Sequence, residues 1–201
     1  MNLTLHLGTA MALTDEQFEQ LARTNRDVRL ERTANGELIL MPPTGGQTGN
    51  RNLDISGQLW AWNRTAKLGV AFDSSTGFRL PNGATRSSYG GAVRTPDAAW
   101  VRQERWDTLS SDDRKRFPPL CPDFVIELCS ESDDWPVLQA KMREYVENGL
   151  QLGWLIDPKT GLVEIYRGDR PLETLKSPAT LSGEAVLPGF MLDLSRIWLS
   201  E

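Results

Sequence analysis

Pro122-Asp-Phe-Val-Ile-Glu-Leu-Cys129, Ser130-Glu-Ser-Asp133, Pro136-Val-Leu-Gln-Ala-Lys-Met-Arg-Glu-Tyr-Val-Glu-Asn-Gly149 and Leu152-Gly-Trp-Leu-Ile-Asp157 follow one another in the chain. The first run is apolar enough for a buried strand, and Ser130–Asp133 ends it. A proline near the start and a glycine at the end bracket the next run as a helix. Leu152–Asp157 and Leu162-Val-Glu-Ile-Tyr166 then read as two strands around the turn Pro158-Lys-Thr-Gly161. Strand, helix, strand in so short a space sets an α/β unit.

Glu127 sits between Ile126 and Leu128 inside that buried strand. A carboxylate among apolar neighbours is costly unless it is paired, hydrogen-bonded or metal-bound, so Glu127 asks for a partner. Upstream, Ala92-Val-Arg-Thr-Pro-Asp-Ala-Ala-Trp-Val101 reads as extended and carries Asp97 beside Pro96. If that segment lies along the Glu127 strand, two carboxylates converge at one sheet edge, a donor set suited to Mg²⁺ or Mn²⁺. Lys141 and Tyr145 are one helical turn apart and share a face. The lysine then orients a water or offsets phosphate charge, and the tyrosine holds the lysine or a substrate oxygen. The structural alternatives are that Asp97 caps the turn after Pro96, Glu127 pairs with an arginine, and Lys141 is a solvated helix residue.

Working outward, Thr14 and Gln17 begin a short helix over Leu13–Ala22, with Thr14 as its cap. Val28–Glu31 and Glu37–Met41 form two strands joined at Asn35-Gly36, and Pro42-Pro43 stops the second. Thr44-Gly-Gly-Gln-Thr-Gly-Asn50 lacks the Gly-Lys-Ser/Thr ending of a phosphate loop and reads as entry into a helix over Asn50–Thr65. Ile55, Leu59 and Trp62 should point inward from it. Gly69–Phe72 and Gly77–Leu80 are further strands, Pro81–Gly91 is turn-rich, Arg102–Arg116 is a charged exposed segment, and weak strands precede a closing segment with Trp198. Met1–Leu13 alternates weakly, as a loose arm or an added edge strand.

The chain has 201 residues, the size of one domain with a sizeable core, here residues 13–201 after an arm of 1–12. Its 22 Lys and Arg against 27 Asp and Glu give a net charge of −5, which argues against a generally basic nucleic-acid-wrapping protein and leaves room for a local basic cleft. Arg94, Arg102, Arg105, Arg114 and Arg116 are candidates for one. Cys121, Cys129 and the single histidine, His6, are too few for a disulfide scaffold or a four-ligand zinc site, and no histidine is placed to activate a thiol. Neither a basic–apolar leader nor an apolar run of membrane-spanning length is present, so a cytoplasmic location without membrane association is expected.

Glu31 and Glu37 around Asn35-Gly36, Arg94-Thr-Pro-Asp97, the Pro122–Leu128 run, Ser130–Asp133, Lys141-Met-Arg-Glu-Tyr145 and Leu152–Pro158 occur in an order that resembles the Uma2 family over residues 13–199. That family is similar in fold to the restriction-endonuclease-like PD-(D/E)XK superfamily, a mixed β-sheet flanked by helices. The resemblance implies a divalent-metal-dependent endonuclease acting on nucleic acid, with DNA as the expected substrate and a homodimer as the expected assembly. Asp97 resembles the Asp of the Pro-Asp motif and Glu127 the second metal-binding carboxylate. The superfamily's lysine usually lies two residues beyond that acid, where this chain has Cys129; Lys141 resembles its displaced equivalent. Either Glu31 or Glu37 is the additional acidic member, and Asp133 resembles an outer or helix-entry carboxylate. The alternatives are a noncatalytic nucleic-acid-binding or regulatory protein on a nuclease fold, and a protein-interaction module.

Overall fold

A computed structural model describes residues 3–7, 13–81 and 91–198. In chain order the strands are β1 (Leu3–Leu5), β2 (Arg29–Arg32), β3 (Leu38–Met41), β4 (Gly69–Asp73), β5 (Phe78–Arg79), β6 (Val93–Arg94) and β7 (Ala98–Arg102). They continue as β8 (Phe124–Leu128), β9 (Leu152–Asp157), β10 (Leu162–Arg167), β11 (Arg170–Lys176), β12 (Thr180–Ser182) and β13 (Met191–Asp193). The helices are α1 (Asp15–Thr24), α2 (Gly46–Ala66), α3 (Gln103–Asp107), α4 (Trp135–Glu147) and α5 (Ser195–Trp198). Most of the expected turn-rich stretch Pro81–Gly91 lies outside the described residues, as do positions 8–12 of the expected arm.

Two compact units share the chain, each built from three separated segments. The smaller takes Met1–Pro43, Ser75–Thr95 and Leu109–Cys121. Its sheet has the order β1-β3-β2-β6-β5, and every pairing in it is antiparallel. Thr14 and Gln17 form the capping box expected at the start of α1, and the helix buries Phe18 against Leu30, Leu38 and Val93. Gly36 takes a left-handed φ of 83°, which the tight turn between β2 and β3 requires. The N-terminal alternation resolves as an edge strand, with Leu3–Leu5 paired to Leu40–Leu38.

The larger unit takes Thr44–Ser74, Pro96–Thr108 and Pro122–Glu201. Six strands in the order β11-β10-β9-β8-β7-β4 make its sheet. β8 and β9 are parallel, joined by the crossover helix α4, and the remaining neighbours are antiparallel. The strand–helix–strand reading of Pro122–Asp157 is therefore the parallel crossover of a mixed sheet flanked by helices. Phe124, Ile126 and Leu128 point from one face of β8 into a core with Trp100, Trp154 and Ile156, covered by Ile55 and Leu59 of α2. Alternation sends Val125 and Glu127 to the opposite face. There α4 comes so close that a Cβ on Gly153 would lie 2.5 Å from the Met142 methyl and 3.4 Å from Val125. The second face is thus reserved for whatever α4 presents. Among the described residues, no helix is long and apolar enough to cross a membrane.

Candidate functional site

On the larger unit, the register of β7 and β8 pairs Ala98 with Ile126 and Ala99 with Val125. The ladder ends at the first of these pairs, and Asp97 is the residue immediately before β7, at the end of β8 that carries Glu127. β7 begins only at Ala98, so the Leu128 N–H meets no strand partner on that side. The Asp97 carboxylate takes its place, with Oδ2 accepting from Leu128 N at 2.9 Å while Oδ1 accepts from Asn52 Nδ2 at 3.0 Å. Asp97 is thus held by the end of β8 and by the first half of α2.

Glu127 is 3% exposed, and Lys141 and Tyr145 reach it from successive turns of α4. Lys141 Nζ lies 2.8 Å from Oε1, and the Tyr145 hydroxyl donates to the same oxygen at 3.0 Å. Lys141 is itself buried, its long stem running under the helix to the carboxylate. A buried carboxylate is stable when a cation and a hydrogen-bond donor replace its lost hydration, and both are supplied here. A lysine is among the partners that the sequence demanded for Glu127. Lys141 is not a solvated helix residue.

Cys129 occupies the position two residues beyond Glu127. Burial, followed by the negative charges of Asp157, Asp133 and Asp134, pushes its thiol up to about 12. A thiol so held is neutral at physiological pH and is neither a nucleophile nor a cation substitute. The positive charge at this site comes from Lys141. Asp133 accepts from the backbone N–H and the hydroxyl of Ser130, at 2.9 and 2.7 Å, and so fastens the turn that leads from β8 to α4.

The two N-terminal acids belong to the smaller unit and sit in different networks. Glu31, 2% exposed, accepts from Arg94 Nη1 at 3.0 Å and from the backbone and hydroxyl of Thr95 at 2.8 and 2.9 Å. Glu37 lies at the start of β3, where its carboxylate meets His6 Nδ1 at 2.6 Å. Arg94 is buried on Glu31 and leaves the set of surface cations expected to meet a polyanion. Arg105 pairs with Asp123 at 2.9 Å and is partly withdrawn from it.

Asn52 is the residue that the sequence reading missed. While its Nδ2 donates to Asp97, its Oδ1 is buried without a hydrogen-bond partner. Turning the amide over would press its oxygen against the carboxylate, so the hydrogen-bond network fixes the orientation. An orphaned buried oxygen is costly and is rare in folded proteins. The signal was available: Asn52 lies three residues before Ile55 and seven before Leu59, on the apolar stripe of α2, where an amide has no reason to be for packing alone.

Among the described residues, no group of three or more His, Cys, Asp or Glu side chains is set to hold a metal ion. The side chains at this end of β8 that offer oxygen are Asp97, Glu127 and Asn52, whose amide oxygen is unpartnered, and oxygen is the donor type that hard divalent ions take.

A family profile described as "Uma2: Putative restriction endonuclease" matches residues 15–195. Among solved structures, the chain is similar to the crystal structure of "a putative nuclease belonging to DUF820 from Anabaena variabilis ATCC 29413". The two are 18% identical, with 92% of this chain and 97% of the other covered at a TM-score of 0.73, a likeness of fold. No curated protein matches the chain.

Proposed function

Because the chain belongs to the Uma2 family, we propose that it hydrolyses phosphodiester bonds of nucleic acid, DNA in particular, in a reaction dependent on Mg²⁺ or Mn²⁺. The observation that carries this reading is the buried Lys141–Glu127 pair on β8, the strand whose last N–H is held by the Asp97 carboxylate. Neither half of that arrangement improves packing, and together they offer oxygen ligands and a cation at the end of one pair of strands.

Asp97 and Glu127 would hold the ion, with Asn52 Oδ1 as a further oxygen donor to it or to one of its waters. When bound, the ion supplies Lewis-acid polarisation of the scissile phosphate and lowers the pKa of a water. Lys141, an ammonium paired with a carboxylate, would act as a donor and not as a base. Its ammonium, held at Glu127, would be the group that meets a phosphate oxygen or the attacking water. Its charge would offset the negative charge carried by the phosphoryl oxygens as the water attacks. Tyr145 fixes the Glu127 carboxylate, so that when Lys141 turns to substrate the acid keeps its orientation. The leaving oxygen departs opposite the incoming water and takes a proton from solvent.

A second reading is favoured by the absence of a three-ligand cluster among the described residues and by the closure of Lys141 on Glu127. On it the chain is a nucleic-acid-binding or regulatory protein that keeps the nuclease fold. One experiment separates the two. Mn²⁺ is titrated calorimetrically into the wild type, Asp97→Ala and Glu127→Ala, each checked for folding, and the same proteins are incubated with plasmid DNA and Mg²⁺ or Mn²⁺. Saturable binding and cleavage, both lost in the variants, support hydrolysis. Ion binding with intact plasmid across a broad range of conditions supports the second reading. A homodimer, which would provide two such sites, is read from the sedimentation of the same samples.

A further inference from the structure

The smaller unit contains a cavity of about 380 Å³ that the reaction above does not use. Arg23 and Arg26 line it from the end of α1 and the residues that follow, and Lys115 and Arg116 line it from the opposite loop. Glu19 is the one acidic residue in the lining, which leaves three positive charges in excess inside a protein of net charge −5. The Glu19 side chain is 13% exposed and stands 3.7 Å from both Arg23 and Arg116. It therefore orients two guanidinium groups while neutralising less than one of them. Arg26 has no ionic partner among the described residues. Like charges gathered around a concave surface repel one another, and an anion in the middle relieves that repulsion.

The walls say which anion. Phe117 forms an apolar side whose ring lies 2.7 Å from where a Cβ of Gly77 would be and packs against Phe18 at 5.7 Å between centroids. That wall is fixed by close packing, and the glycine is what lets the ring reach it. Thr76, on the same side, adds a hydroxyl to the lining. The volume is within the range of about 300–1,000 Å³ typical of pockets for organic ligands, larger than a bare ion needs. Guanidinium forks match phosphate oxygens in pairs, and an excess of three charges suits a multiply charged group better than a single carboxylate.

We propose that this cavity binds the phosphate of a nucleotide, either free or within a single strand. The proposal stands on the smaller unit alone and does not rest on the hydrolytic reading of the larger one.

The test is run in EDTA, so that no divalent ion and no cleavage are involved. Inorganic phosphate, dAMP and a 12-nucleotide single strand are each titrated calorimetrically into the wild type. The same titrations are made on Arg26→Gln/Lys115→Gln and on Arg23→Gln/Arg116→Gln, and either double variant that keeps the wild-type circular dichroism serves. Removing two phosphate contacts worth about 0.7 each in the log–log salt slope predicts a roughly 25-fold weaker complex with the strand at about 0.1 M salt. Binding of phosphate or dAMP that is lost in the variants identifies a free nucleotide as the ligand; loss confined to the 12-mer identifies a strand. The proposal is overturned if none of the three binds saturably, or if a folded double variant binds as the wild type does.

Discussion

Exchanging Lys141 for methionine keeps most of the stem's bulk and removes the ammonium, which isolates the charge from the packing. Lys141 Nζ and Glu127 Oε1 are 2.8 Å apart, with side chains 10% and 5% exposed. At an effective dielectric constant of about 20, unit charges at that distance attract by about 6 kcal/mol. Much of that offsets the cost of taking two ions out of water, so the net worth of the pair is small. The cost of breaking it is not small, because the Tyr145 hydroxyl cannot neutralise the carboxylate left behind. Lys141→Met is expected to destabilise by about 3–5 kcal/mol, the range for stranding one member of a buried pair. Adding Glu127→Gln removes the stranded charge, so the double variant should be more stable than the single one, with a coupling of about 2 kcal/mol or more. Urea unfolding followed by tryptophan fluorescence reads this directly, since Trp100 and Trp154 are fully buried in the same core. A Lys141→Met protein within about 0.5 kcal/mol of wild type, or a double variant whose losses simply add, would refute the reasoning that this pair is a buried, mutually dependent unit.

Two further outcomes concern residues near the two ends of the Asp97–Leu128 contact. Asn52→Leu removes both the donor to Asp97 and the orphaned oxygen, and should weaken Mn²⁺ binding by about 10–100-fold with the fold retained, the usual effect of losing a group that orients a ligand; unchanged affinity in the calorimeter would strike Asn52 from the site. The Cys129 thiol, pushed up to about 12 from an ordinary 9.0, should be alkylated about a thousandfold more slowly than a free cysteine at pH 8, when native protein is labelled with iodoacetamide and digested. Its pKa is raised in the folded state, so its contribution to stability is intact below about pH 9 and declines as pH climbs towards 12. Labelling at the free-thiol rate would show that the burial and the aspartate charges invoked for it do not act.

The parts of the molecule that could be read in advance are those whose chemistry is local. Thr14 and Gln17 cap α1 because the capping box is a matter of three residues. Pro136 and Gly149 bracket α4 for equally short-range reasons. Glu127 was conspicuous because a carboxylate between isoleucine and leucine has few tolerable environments. What stayed hidden depends on register and on tertiary partners. Nothing in the sequence says that Ala98 faces Ile126, and so nothing says that the Asp97 carboxylate meets the end of β8. β5 and β6 are two residues each, too short to show alternation, and β11 is exposed over nearly all of its seven residues, so no apolar pattern marks it. Arg94 was taken for a surface cation, because a buried Arg94–Glu31 pair, 63 residues apart, cannot be told from two solvated charges. Asn52 is marked in the sequence only as the polar residue on the stripe of Ile55 and Leu59, and its partner Asp97 lies 45 residues away.

The interleaving of the two units has a consequence for the chain as it leaves the ribosome. Ile55 and Leu59 of α2 are covered in the finished protein by residues as late as Phe190 and Leu192. At synthesis rates of roughly 5–20 residues per second, the helix waits on the order of 7–27 seconds between the emergence of Leu59 and that of Leu192. The smaller unit's segments end at Cys121, so all of its strands are available well before the larger core can close. Through that interval α2 presents an apolar stripe to solvent or to a holding chaperone. Slowing translation after residue 121 should therefore lengthen the period in which the nascent protein is captured by chaperones or aggregates, and speeding it should raise the soluble yield.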